Sequence, residues 1–146
     1  MSAKDGFEEE LLKHIFQNEA IPNIGDAAGL QPSAAAGNFW IALHTITPTD
    51  SASGTECDYD GYGRVAVPRN ASGFAVAGSV VSNASALAFG QCVSGATDEA
   101  VAFTINYASG VNVDDQKLWG ALTSNYSISL GVTPEFAIGD LTVNCD

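Results

Sequence analysis

Val101-Ala102-Phe103-Thr104-Ile105-Asn106-Tyr107 decides the fold. Apolar Val101, Phe103, Ile105 and Tyr107 alternate with Ala102, Thr104 and Asn106, the two-residue period of a strand with one face on a core and one toward water. The rhythm recurs on the C-terminal side. Ile128 and Leu130 alternate with Ser127 and Ser129, and Leu141, Val143 and Cys145 with Thr142, Asn144 and Asp146. Less regular strands are expected at Phe39 to Thr45, Tyr62 to Val67, Phe74 to Ala77, Val80 to Ser82, Ala86 to Phe89 and Lys117 to Thr123. Gly78-Ser79 between two of these runs reads as a two-residue hairpin turn. Eight or nine short strands parted by Gly, Ser, Asn and Asp predict an all-β antiparallel sandwich, jelly-roll-like or immunoglobulin-like, whose strand order the pattern leaves open.

The first residues have a different period. Phe7, Leu11 and Ile15, flanked by Leu12 and Phe16, recur at helical spacing and predict one short amphipathic helix. Asp5 is placed to cap its start, Glu8, Glu9 and Glu10 lie at the positive end of the helix dipole, and Lys13 and His14 lie in the last turn. Glu9 can pair with Lys13 one turn on. A helix this short is marginal alone, so its apolar stripe is expected to dock on the domain or a neighbour. From Ile21 to Gly37 the chain carries Pro22, Gly25, Gly29, Pro32 and Gly37 in an alanine-rich run. That composition fits an extended arm, or a long loop packed over the domain. The expected division is therefore a helix and arm at 1–37 and a β-sandwich domain at 38–146.

Charge narrows the function. Seventeen acids against five Lys and Arg leave a net charge of -12 and a pI near 4.1. Nucleic-acid binders need clustered cations, so neither DNA nor RNA is an expected partner. No apolar run reaches the length of a membrane span, and the acidic N-terminus does not resemble a secretory leader, so a protein made in a host cytoplasm, with no membrane partner, is expected. Cys57, Cys92 and Cys145 form no CxxC pair and read as reduced thiols. Asn70-Ala71-Ser72, Asn83-Ala84-Ser85 and Asn125-Tyr126-Ser127 match the glycosylation pattern, by chance on such a route.

Chemistry finds little purchase. Glu56-Cys57-Asp58-Tyr59-Asp60-Gly61 spaces carboxylates like a calcium loop, but Val67 stands twelfth where a bidentate Glu belongs, so a solvated acidic loop is the better reading. Asp114-Asp115 reads as a hydrophilic turn. His14 is expected at a helix end, and His44, on one strand face with Trp40 and Ala42, as a satisfied, partly buried histidine. No GxSxG, GxxxxGK[ST] or HExxH pattern is present. No catalytic, cofactor or metal residue is assigned, and no cofactor is expected. Arg64 and Arg69 are each expected to meet a carboxylate. For a protein that works by contact, Phe7, Leu11, Ile15 and Phe16 on the helix and Tyr59 and Tyr62 in turns are the candidate partner-binding residues.

Six pieces in order carry a resemblance: Leu11-Leu12-Lys13-His14-Ile15-Phe16; Trp40 to Thr45 with Pro48-Thr49; Glu56 with Gly61 to Val67; Ser82-Asn83-Ala84 with Leu87-Ala88-Phe89; Leu118 to Thr123; and Gly139 to Val143. Together they resemble short tailed-phage virion proteins commonly labelled phage tail fibre proteins, which are similar to head decoration, or cement, proteins. Ile21 to Gly37, the added acidic bias and Cys57 depart from that pattern. The resemblance implies a structural virion component without catalytic residues.

The favoured expectation is a non-enzymatic cement protein on the capsid surface, a homotrimer whose partner is the major capsid protein. The alternative is a tail fibre or tail-tip protein that binds a host receptor. A glycan-active enzyme, resting only on abundant carboxylates, ranks last.

Overall fold

The computed structural model describes residues 3–95, 97–110 and 115–145. Its elements are helix α1 (Asp5–Gln17) and strands β1 (Asn38–Ile46), β2 (Thr55–Glu56), β3 (Val65–Pro68), β4 (Phe74–Ala77), β5 (Val80–Asn83), β6 (Leu87–Ala88), β7 (Asp98–Asn106), β8 (Gln116–Ile128), β9 (Glu135–Phe136) and β10 (Thr142–Asn144). One sheet runs β2-β1-β7-β8 with β3 also on β1, a second runs β10-β5-β4, and β6 pairs with β9. β1 pairs antiparallel with β2 and β7, β7 with β8, and β5 with β4 and β10. The all-β antiparallel class expected from the two-residue rhythm is the class observed, with one short N-terminal helix. β2 and β9, two residues each, are too short to leave a period in the sequence.

The chain forms two compact units. One gathers Met1–Gly37, Pro68–Leu87 and Phe136–Asp146, the other Asn38–Val67 and Ala88–Glu135. This differs from a division at residue 37, because the N-terminal segment is built into a unit with later strands. In that first unit α1 buries Leu12 and Phe16, and the Phe16 ring meets Phe74 edge-on at 5.1 Å. Gln17 donates to the Phe74 carbonyl at 2.7 Å. Arg69 donates to the carbonyls of His14, Ile15 and Ala36, so its cation sits at the negative end of the helix dipole. The helix has Lys4 at its N-cap without a side-chain bond, and Asp5 is its first helical residue, not the cap. Glu9 and Lys13 pair at 2.6 Å, as the spacing predicts.

The segment from Ile21 to Gly37 is a folded loop, not an extended arm. Ile21 is buried and exchanges backbone bonds with Leu30, at 3.0 and 2.8 Å. The Asn18 side chain donates to the Ser33 carbonyl and accepts from its N–H, both at 2.9 Å. Those bonds hold a sequence whose Pro and Gly residues favour turns.

In the β10-β5-β4 sheet the Gly78-Ser79 hairpin is present, with Ala77 opposite Val80 and Gly78 at φ 58. A positive φ at the first central residue is what such a turn demands of glycine. Asn83, matched to a glycosylation pattern in the sequence, is fully buried. Its amide donates to the carbonyls of Ser85 and Ala137, each at 2.8 Å, and its Oδ1 accepts from the Leu141 N–H at 3.0 Å. One side chain thus fastens the C-terminal segment to β5. Replacing Asn83 with Ala strands the buried Leu141 N–H and frees the carbonyls of the exposed Ser85 and Ala137, and urea unfolding is expected to register a loss of about 1–3 kcal/mol.

Candidate functional site

The second unit is organised by β7, whose two faces are both covered. Its register sets Thr104 opposite Ala42 on β1 and Trp119 on β8, and Ala102 opposite His44 and Ala121. Ala100, Ala102, Thr104 and Asn106 are buried, while Val101 and Phe103 are half-buried and Tyr107 is exposed. Ile105, on the apolar side, is buried as well, so the expected core face is partly covered and the side with small and polar residues is covered too. Small side chains let the covering chain approach, and the polar ones are bonded only in part from within, with Asn106 Oδ1 and the nearby His44 Nδ1 buried without a hydrogen-bond partner among the described residues. His44 Nε2 and Thr104 Oγ1 lie 2.9 Å apart, and Asn106 donates to Thr104 Oγ1 and the Trp40 carbonyl at 3.0 and 2.9 Å.

His44 is buried, as its strand position implies, and desolvation holds its pKa below the ordinary imidazole range. Next to it in the register, Glu56 takes a two-pronged bond from Arg64, Nε to Oε1 and Nη2 to Oε2, both 2.9 Å. Arg64 Nη1 donates to Asp115 Oδ2 at 3.0 Å and to the Ala108 carbonyl at 2.9 Å, so one guanidinium clasps both ends of the connection between β7 and β8. The side chains of Arg64 and Asp115 are 3% and 1% exposed. Asp115 is thus a buried ion-pair partner, not part of a hydrophilic turn, and Asp114 lies outside the described residues.

The candidate contact residues scatter. Tyr59 is 2% exposed, its hydroxyl donating to the Gly90 carbonyl, and burial raises its pKa to about 12. Tyr62 is half-buried, donates to Glu56 Oε1 and accepts from the Leu43 N–H. Its ring meets Tyr59 edge-on and stacks on Phe89. Tyr59 and Phe16 offer no surface to a partner, because loop aromatics here and the Leu12–Phe16 stripe of α1 complete the cores of their units. Phe7 and Ile15 are exposed and Leu11 is half-buried on the helix face opposite Phe16. The acidic loop is engaged internally: Glu56 holds Arg64, and Asp98 Oδ2 accepts from the N–H groups of Asp58 and Tyr59. Among the described residues no group of three or more His, Cys, Asp or Glu could hold a metal ion.

What the sequence did not single out is β8. It closes the order β2-β1-β7-β8, so its outer edge carries no neighbouring strand in that sheet. Two separate strands were expected where one runs for 13 residues, because the turn-forming Ser124 and Asn125 fall in a bulge. The register passes from Ala100 opposite Tyr126 to Ala102 opposite Ala121. Leu118, Trp119 and Tyr126 are exposed along this edge. Gln-Lys-Leu-Trp-Gly-Ala-Leu-Thr-Ser-Asn-Tyr-Ser-Ile contains no acid, no proline and one charge, Lys117. Among the described residues this long edge has no proline and one charge, few of the usual guards against strand pairing. Its first residues form one wall of a cleft of about 490 Å³, and the turn from Thr49 to Ser53 forms the other.

The sequence matches, over residues 2–144, the family described as podophage GP4 fiber I protein gp80, and the chain belongs to that family. It is a structural protein of a phage virion. Among curated proteins none matches it.

Because the folded pKa of His44 lies below the unfolded one, its contribution to stability is complete above about pH 6.5 and is lost as pH falls through the depressed folded value. Urea midpoints at pH 7.5 and 5.5 are expected to differ more for the wild type than for His44→Gln. Equal differences would remove His44 as the source.

Proposed function

We propose that this protein is a non-catalytic subunit of a phage tail fibre, which works by contact with other virion proteins and with the host surface. The observation that carries this reading is the family match across nearly the whole chain, whose description names a fibre. It favours the tail-fibre alternative over a cement protein bound to the major capsid protein. The acid-free edge of β8 supports it too. On a chain of net charge -12, it is a strip where a second copy or another acidic virion protein meets little repulsion. Self-association, with a closed trimer as the expected form, would cover such edges. The exposed Phe7 and Ile15 of α1 offer a separate apolar contact.

Counting copies per purified virion by quantitative mass spectrometry, with antibody labelling in the electron microscope, tests this reading. Low copy number with label confined to the tail is expected. Hundreds of copies spread over the head would overturn it in favour of the cement role.

A further inference from the structure

The cleft between the first residues of β8 and the Thr49 to Ser53 turn has the makings of a small-ligand site at the start of that edge strand. Its lining offers one flat aromatic, Trp119, 44% exposed, with the hydroxyls of Thr49, Ser51 and Ser53, the Gln116 amide and the charges of Asp50 and Lys117 around it. Both walls are fixed in place. On one side Gln116 and Trp119 are paired in register with β7. On the other, Thr49 and Ala52 exchange backbone bonds at 2.8 and 3.3 Å, and Gly54 at φ 68 lets the turn fold back to β1. A Cβ on Gly54 would lie 2.2 Å from the Ile46 carbonyl oxygen, so no other residue fits there without displacing the wall. Gln116 Nε2 donates across the cleft to the Ser53 carbonyl at 3.1 Å, which joins the walls and orients the amide.

We propose that this cleft is a subsite for a neutral sugar ring of a host-surface glycan, a proposal that rests on the fibre reading above. A pyranose has an apolar C–H face that suits an exposed indole, and a rim of hydroxyls that suits amide, carboxylate and hydroxyl partners. Those are the groups present: Trp119 for the face, and Asp50, Ser51 and Gln116 for the rim. The polar groups outnumber the apolar Ala52, Leu118 and Trp119 in this lining, which favours a hydroxylated ring over an apolar peptide anchor. Charge selects among glycans. Asp50 and Lys117 offset one another at the cleft, and the Lys117 ammonium is held 4.5 Å from the centre of the Tyr107 ring. The net charge of -12 on the whole chain opposes anionic polysaccharide. A single such site is weak, and repetition along a fibre supplies avidity.

The test is calorimetric titration of the full-length protein with neutral tetrasaccharides of N-acetylglucosamine, glucose, galactose and rhamnose, with a heparin tetrasaccharide as the anionic comparison. At least one neutral probe is expected to bind and heparin not to. Trp119→Ala should weaken that binding about tenfold, with Trp119→Phe retaining part of it. Trp119 is exposed, so the melting temperature of both variants should stay near that of the wild type, separating lost binding from lost folding. No binding by any neutral probe, or unchanged affinity in Trp119→Ala, overturns the proposal. Silence toward sugars in a protein counted at fibre numbers removes this site alone. Sugar binding by a protein counted at shell numbers removes the fibre reading alone.

Discussion

The unit that carries β8 depends on one buried cation. Arg64 neutralises Glu56 on β2 and Asp115 at the foot of β8, and its remaining N–H bond goes to the Ala108 carbonyl at the end of β7. Its planar fork matches the two oxygens of Glu56 and still reaches Asp115, which a lysine ammonium could not do with the same geometry. Burying three charges is costly in itself. The cost is tolerable because the Tyr62 hydroxyl also donates to Glu56, so the carboxylate facing His44 is almost fully bonded. The arrangement fixes where β8 begins. Asp115 is held, Gln116 follows it and bonds to Ser53, and the cleft wall takes its position from there.

Much of the fold could be read from the residues because the β rhythm is local. Phe74 to Ala77, the Gly78-Ser79 turn and Val80 onward announce themselves, since one hairpin buries one face. β7 was legible as a strand but not as a central one. Period two tells which residues share a face, and whether the polar face is also covered depends on residues far along the chain. Thr104 and Asn106 looked like a wet face and are instead the inner hydrogen-bonding side. The choice between an arm and a packed loop at Ile21 to Gly37 stayed open for a related reason. Its Pro and Gly residues indicate a lack of regular structure, while the Asn18–Ser33 and Ile21–Leu30 bonds that fold it leave no periodic mark.

The candidate site was harder still. Large aromatics in turns drew attention to Tyr59 and Tyr62, yet both serve internal packing, with their hydroxyls satisfied by Gly90 and Glu56. The candidate surface singled out on β8 has as its signal in the sequence a scarcity: thirteen residues with no acid in a chain that has 17. Trp119 was visible as part of a strand, and only the position of that strand at the sheet edge explains why its indole is exposed.

The most direct measurement on this account is the stability and amide exchange of Arg64→Met. With Glu56 and Asp115 left buried and unpaired, a loss of about 3–5 kcal/mol is expected, with faster exchange concentrated in residues 116–119. A variant within about 0.5 kcal/mol of the wild type, with β8 equally protected, would contradict the claim that this cation holds the edge strand in place.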